Sequence, residues 1–254
     1  MGFFSSIGSA ISSAFSSVCI FVGRICSSIA GALGGTVLGQ AATSFVSKIG
    51  LAIPGLNIIA TIIQVANIIV KIAEILGLKK ENEDEPDELA MKAEKDDKKP
   101  EDFDSVEEYI NHLHNDIELS KEDKEKLDKM SPEERAAYRA TGTYLYTKAC
   151  NEKLGFDTTG LKNPDLIGIN SEILTDLLKI GSVFTPSDFV ICSKYLAQSG
   201  LNTKQLSDYL HNRSENISVD EKVKNAIKDT FIEQNPDISK PEILQKLYQM
   251  NIED

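Results

Sequence analysis

Phe4, Ile7, Ile11, Phe15, Val18, Val22, Ile25 and Ile29 recur at steps of three and four, the spacing of one apolar stripe on a helix. Opposite them stand Ser5, Ser6, Ser9, Ser12, Ser13, Ser16 and Ser17, so this helix is amphipathic with a polar face of hydroxyls and no charge. In water Lys and Glu form better helices and give more solubility. In lipid, hydroxyls can bond back to the helix or across to a neighbour, and small side chains permit close approach. The serine face therefore fits an interfacial helix, a packing seam or, through Ser5, Ser9, Ser12 and Ser16, the lining of a water-filled pore.

Next come Gly31, Gly35 and Gly39, two overlapping GxxxG units in an apolar segment. Such spacing gives either a flat groove for helix association or a hinge. Pro54 and Gly55 break the pattern and predict a hairpin turn. After them, residues 57–78 read as the strongest spanning helix of the chain. Asn57, Thr61, Gln64, Asn67, Lys71 and Glu74 follow one another at helical steps in a background of Ile, Val, Ala and Leu. That stripe either packs in a bundle interior with its amides mutually bonded or lines an ion path, since amides at membrane depth need a partner or water. Lys71 and Glu74, three apart, can pair at the helix end, and Lys79 and Lys80 make an interfacial anchor.

Charge sharpens the division. Up to residue 78 the only charged side chains are Arg24, Lys48, Lys71 and Glu74, a balance of +2, so the remainder of a chain with net charge −12 carries −14. The uncharged stretches between those charges are each about 22 residues, which as helix spans about 33 Å, near the thickness of a bilayer core. Residues 79–102 are nearly all charge and predict a solvated acidic linker. Beyond it, Ser105–Glu108, Ser131–Glu134, Ser218–Glu221 and Ser239–Glu242 have the form of capping boxes. Thr185–Pro186 opens a further helix, which Gly200 closes, as Gly155 closes the one containing Tyr138, Tyr144 and Leu145. Without alternating strand patterns the expected class is all-α: a membrane-inserting region over 1–78, a linker over 79–102 and a small helical soluble domain over 103–254.

Chemistry is sparse. The acidic balance argues against nucleic acid, which needs clustered Lys and Arg. Cys19, Cys26, Cys150 and Cys192 have no CxxC spacing, so neither a disulfide framework nor a metal or redox motif is expected. His112 and His114 lie two apart and make a poor metal pair on a helix, and His211 reads as a surface residue. Tyr138, Tyr144, Tyr146 and Phe184 read as core. HExxH, GxSxG and phosphate-loop motifs are absent, so no enzyme activity, cofactor or metal is expected. The N-terminus lacks the basic region of a secretory signal, and Gly2 with Ser6 fits the loose myristoylation pattern.

In layout, residues 3–78 resemble the small pore-forming antibacterial effectors of type VI secretion systems, and the apolar hairpin is similar to that of colicin pore domains. The resemblance implies a toxin that leaves its cell by a non-classical route, inserts these helices into a target membrane, oligomerises and conducts ions. It further implies a secretion chaperone or carrier and a protective immunity protein as partners beside the lipid bilayer. The alternative is a non-enzymatic membrane-anchored scaffold or virion component whose acidic domain recruits partners.

Overall fold

The computed structural model describes residues 22–31, 36–52, 57–156, 168–214 and 216–252, without the side chains of 51 and 52. All regular structure among them is helical. Two compact units result, one drawn from 1–70 with 79–149 and the other from 71–78 with 150–254.

The first unit opens with α1 (22–31), α2 (Val37–Ala52) and α3 (Ile58–Ile75), the last of which crosses into the second unit at Lys71. Arg24 and Lys48 lie within α1 and α2, so the charges do not separate the helices as the stretch lengths suggested. Thr36 caps α2, its hydroxyl accepting from the Gly39 N–H at 3.0 Å. Ile25 and Ile29 of α1, Ala42, Val46 and Ile49 of α2, and Ile58, Ile62, Val65 and Ile69 of α3 are buried. Phe45 meets Tyr144 edge-on at 6.0 Å.

Residues 79–102 are not the solvated linker that their composition suggested. They form α4 (Pro86–Lys95) and a 3-10 turn at Pro100–Asp102. Hidden in the charge run, Leu89, Ala90, Met91 and Ala93 supply an apolar face that is buried. Ala90 and Met91 join Leu127 and Tyr138 in one cluster, flanked by Leu119 and Met130. Glu88 accepts from the Glu85 backbone N–H at 3.1 Å and starts the helix. Its neighbour Asp87 is 0 % exposed and is held by Arg135 at 2.7 Å and Arg139 at 3.3 Å. Averaged over the segment, charge conceals a helix because these charges find specific partners.

Around α4 stand α5 (Val106–Asp116), α6 (Lys121–Lys129) and α7 (Pro132–Lys153). Ser105 and Ser131 cap α5 and α7, the hydroxyls accepting from Glu108 N at 3.1 Å and Glu134 N at 3.3 Å; Glu134 closes its box on the Ser131 N–H, whereas Glu108 accepts from the Asp104 N–H at 3.2 Å and not from that of Ser105. Gly142 lets α7 touch the first turn of α4: a Cβ there would stand 1.8 Å from the Pro86 carbonyl oxygen.

The second unit contains α8 (Ser171–Ile180), α9 (Pro186–Gln198), α10 (Thr203–Leu210), α11 (Ile217–Gln234) and α12 (Lys240–Gln249). α9 packs along α11, and Phe184 meets Phe231 edge-on at 6.1 Å in its core. Thr185 and Ser239 cap α9 and α12 through full boxes with Asp188 and Glu242. Gly200 closes α9 and Gly155 closes α7, both at positive φ, with Leu201 and Phe156 N–H groups reaching back to Leu196 and Asn151 carbonyls. Ser218 does not cap its helix. Asn216 does, accepting from the N–H groups of Ser218 and Val219, so α11 starts at Ile217.

Candidate membrane-active site

The sequence directs attention to α3. Its apolar arc, formed by Ile58, Ile62, Val65, Ala66, Ile69, Ile72 and Ala73, is buried. The opposite arc, Ala60, Ile63, Gln64, Asn67 and Lys71, is exposed. The period of 3.6 puts Gln64 and Asn67 on one face, and that face is exposed, not packed in a bundle interior with its amides bonded to one another.

Two members of the stripe have other work. Asn57 is the helix cap: its Oδ1 accepts from Ile59 N at 3.0 Å and Ala60 N at 3.4 Å. Thr61 sits at the edge of the stripe and falls on the buried side, 2 % exposed, its hydroxyl donating to the Asn57 carbonyl at 3.2 Å. That backbone bond lets a hydroxyl enter an apolar core without an unpaired donor. At the far end Lys71 and Glu74 pair at 2.8 Å, as expected. Gly77 at positive φ then closes the helix through the Leu78 N–H, which bonds to the Ala73 carbonyl at 2.8 Å.

Of the glycine groove, Gly31 is exposed and a Cβ there would meet nothing within 4 Å among the described residues, whereas Gly39 is buried. Close approach occurs at Gly50 instead. A Cβ there would lie 2.6 Å from Val22 Cγ2 and 3.3 Å from Ile58 Cδ1, so α1, α2 and α3 converge on it. Gly50 falls outside the GxxxG register, and no spacing rule singles it out. Ser5, Ser9, Ser12, Ser16, Gly35, Pro54 and Gly55 lie outside the described residues.

The outward side chains of these helices are the more telling feature. From residue 22 to Val70 the chain has only Arg24 and Lys48 as charges, and the exposed arc of α3 carries Ala60, Ile63 at 37 % exposure, Gln64 and Asn67 before Lys71. Compare α6, where Lys121–Lys129 holds eight charged residues and buries Leu127 alone. Among the described residues, α3 is the one helix long and apolar enough to cross a membrane, and less than half of it is buried.

The polar side chains gather elsewhere. His112 and His114 point apart: His112 bonds Asp116 at 2.7 Å, while His114 bonds Asp84 at 2.7 Å. His112 Nε2 also lies 3.1 Å from Asp96 Oδ2, but at an angle that leaves both atoms without a hydrogen bond. His211 is not a surface residue. It is buried against Asp176 at 2.8 Å, with Ser207 donating to the other carboxylate oxygen at 2.7 Å. Burial pushes the Asp176 carboxyl up against the pull of these two bonds. Both bonds end on the Asp176 carboxylate, and together they tie α8 to α10 and its C-terminal cap. Burial also pushes the Cys150 and Cys192 thiols up to about 12, which leaves them unreactive. Among the described residues no three His, Cys, Asp or Glu side chains converge as a metal set. No family model, no curated protein and no solved structure matches the chain.

Proposed function

We propose that this chain permeabilises membranes by inserting its N-terminal helices, with α3 as the spanning element and Gln64, Asn67 and Lys71 lining the ion path. One observation carries the reading: the solvent-facing arc of α3 is uncharged from Ala60 to Asn67. A helix evolved only for water gains solubility and helix stability from Lys and Glu on that side. An arc limited to amides, alanine and isoleucine can exchange water for lipid or for neighbouring copies at small cost. In this form the apolar arc is sheathed by burial, the condition of a protein before insertion. A second copy would complete the pore, and a carrier and a protective partner belong to the same reading.

Liposomes loaded with a potassium gradient test it. The full chain should dissipate the gradient, and planar-bilayer recording should show discrete conductance. Gln64→Leu with Asn67→Leu should lower that conductance several-fold while leaving insertion intact; Asn57 is kept, because it caps the helix. Intact gradients with insertion demonstrated would replace the pore by an anchor.

A further inference from the structure

We propose that Asp84, Lys92, His114 and Tyr146 form a knot that fastens the chain just after α3 and opens when Asp84 takes up a proton. The four groups come from four elements: the α3–α4 connection, α4, α5 and α7. His114 Nδ1 and Lys92 Nζ each stand 2.7 Å from the same Asp84 oxygen, Oδ2. With Nδ1–H donating to Asp84, His114 Nε2 is left to accept from the Tyr146 hydroxyl at 3.2 Å. Lys92 also donates to the His114 carbonyl at 3.5 Å. The two basic side chains are buried, at 8 % and 7 % exposure, so water cannot substitute for the carboxylate. Beside them Lys79, 1 % exposed, donates to the carbonyls of Lys80 at 3.3 Å and Glu83 at 3.2 Å and faces Glu85 at 3.5 Å. The connection is thus wound around buried ammonium groups.

The remaining charged neighbour of His114 is Glu83, 3.9 Å from Nε2 and itself paired with Lys80 at 3.4 Å. Burial would push the Asp84 carboxyl up, but the hydrogen bonds from His114 and Lys92 prevail and hold it below the usual range. For Glu83, likewise, burial is outweighed by the Lys80 N–H and the His114 charge. A carboxylate depressed in the folded chain contributes stability above its unfolded value, and that contribution is lost as pH falls through the folded one. When Asp84 is neutralised, Lys92 is left as a buried ammonium without its counter-charge, and the His114 Nδ1–H loses its charged acceptor. The cost of keeping that unpaired ammonium out of water drives the connection open.

Amide hydrogen exchange on the full chain, without lipid, reads this directly. Protection of residues 79–92, corrected for the intrinsic pH dependence of exchange, is followed from about pH 6 to about pH 3 with α11 as internal reference. The wild-type protection should fall about tenfold or more below pH 4 while α11 stays protected, because uptake of one proton on opening changes the open population about tenfold for each step of one in pH. Lys92→Met removes the buried ammonium and should lose far less over the same range. Asp84→Asn should be open at pH 6 and insensitive to acid; should it fail to fold, the Lys92→Met comparison carries the test. Parallel loss in wild type and Lys92→Met, continued protection at about pH 3, or simultaneous loss in α11 would overturn the knot. Its use in membrane entry rests on the function proposed above, and liposomes separate the two: opening without gradient release would leave the knot standing and remove the pore.

Discussion

Gly142 and Asp176 show how much a single position carries. Nothing in the sequence distinguishes Gly142 from the glycines that end helices, yet a Cβ there would overlap the Pro86 carbonyl, which is backbone and cannot swing aside. Gly142→Ala should therefore cost about 2–3 kcal/mol by overpacking, read as a lower urea midpoint; Gly200→Ala, where the added Cβ meets nothing but the φ of +71° is unfavourable, should cost about 1 kcal/mol. Equal costs would refute the steric argument. Asp176 makes a pH prediction. Its carboxyl is raised in the folded chain, so the stability it contributes is present below the unfolded value and lost as pH rises through the folded one. His211→Leu removes one of the two bonds that oppose this. The variant should be about 2 kcal/mol less stable at neutral pH, with a smaller deficit at about pH 4, where the carboxyl is more nearly neutral. Deficits of equal size at both pH values would show that packing alone holds this pair. Neither position was legible beforehand: a lone glycine and a lone histidine acquire meaning only from what the fold brings against them.

Helix boundaries follow local chemistry, and here the sequence spoke well where the capping residue is unambiguous. Ser105, Ser131, Thr185 and Ser239 each cap the helix they precede, because a hydroxyl followed three residues later by a carboxylate satisfies two N–H groups at the helix start. Before α11 two candidates compete, and Asn216 wins with bonds to two N–H groups. Asn216→Ala should accordingly destabilise the chain by about 1 kcal/mol and Ser218→Ala by a few tenths, measured as urea midpoints; the reverse order would move the start of the helix. α4 shows the opposite failure. Its apolar residues are few and its charges many, so composition reads as linker. Buried Leu89 and Met91, and the pairing of Asp87 with two arginines, make it an integral helix.

That helix redraws the whole molecule. Because α4 packs on α5 and α6, and Ala90 and Met91 share a cluster with Leu127 and Tyr138, a fragment beginning at residue 103 lacks part of its own core. Residues 103–254 alone should bind a hydrophobic dye and melt with low cooperativity, whereas residues 79–254 should recover α4 and with it the cooperative transition; two indistinguishable melts would restore the linker. The sequence by itself determined the helical class, most helix starts, the two glycine closures and the common face of Gln64, Asn67 and Lys71, since caps and a period of 3.6 are properties of neighbouring residues. Only the tertiary structure decided that Thr61 turns inward, that Gly50 and not Gly31 admits a neighbouring helix, that His114 and His211 are buried on aspartates, and that an acidic segment belongs to a core. Each of those outcomes depends on a partner distant in sequence, and burial, steric clearance and the pairing of charges exist only once that partner has arrived.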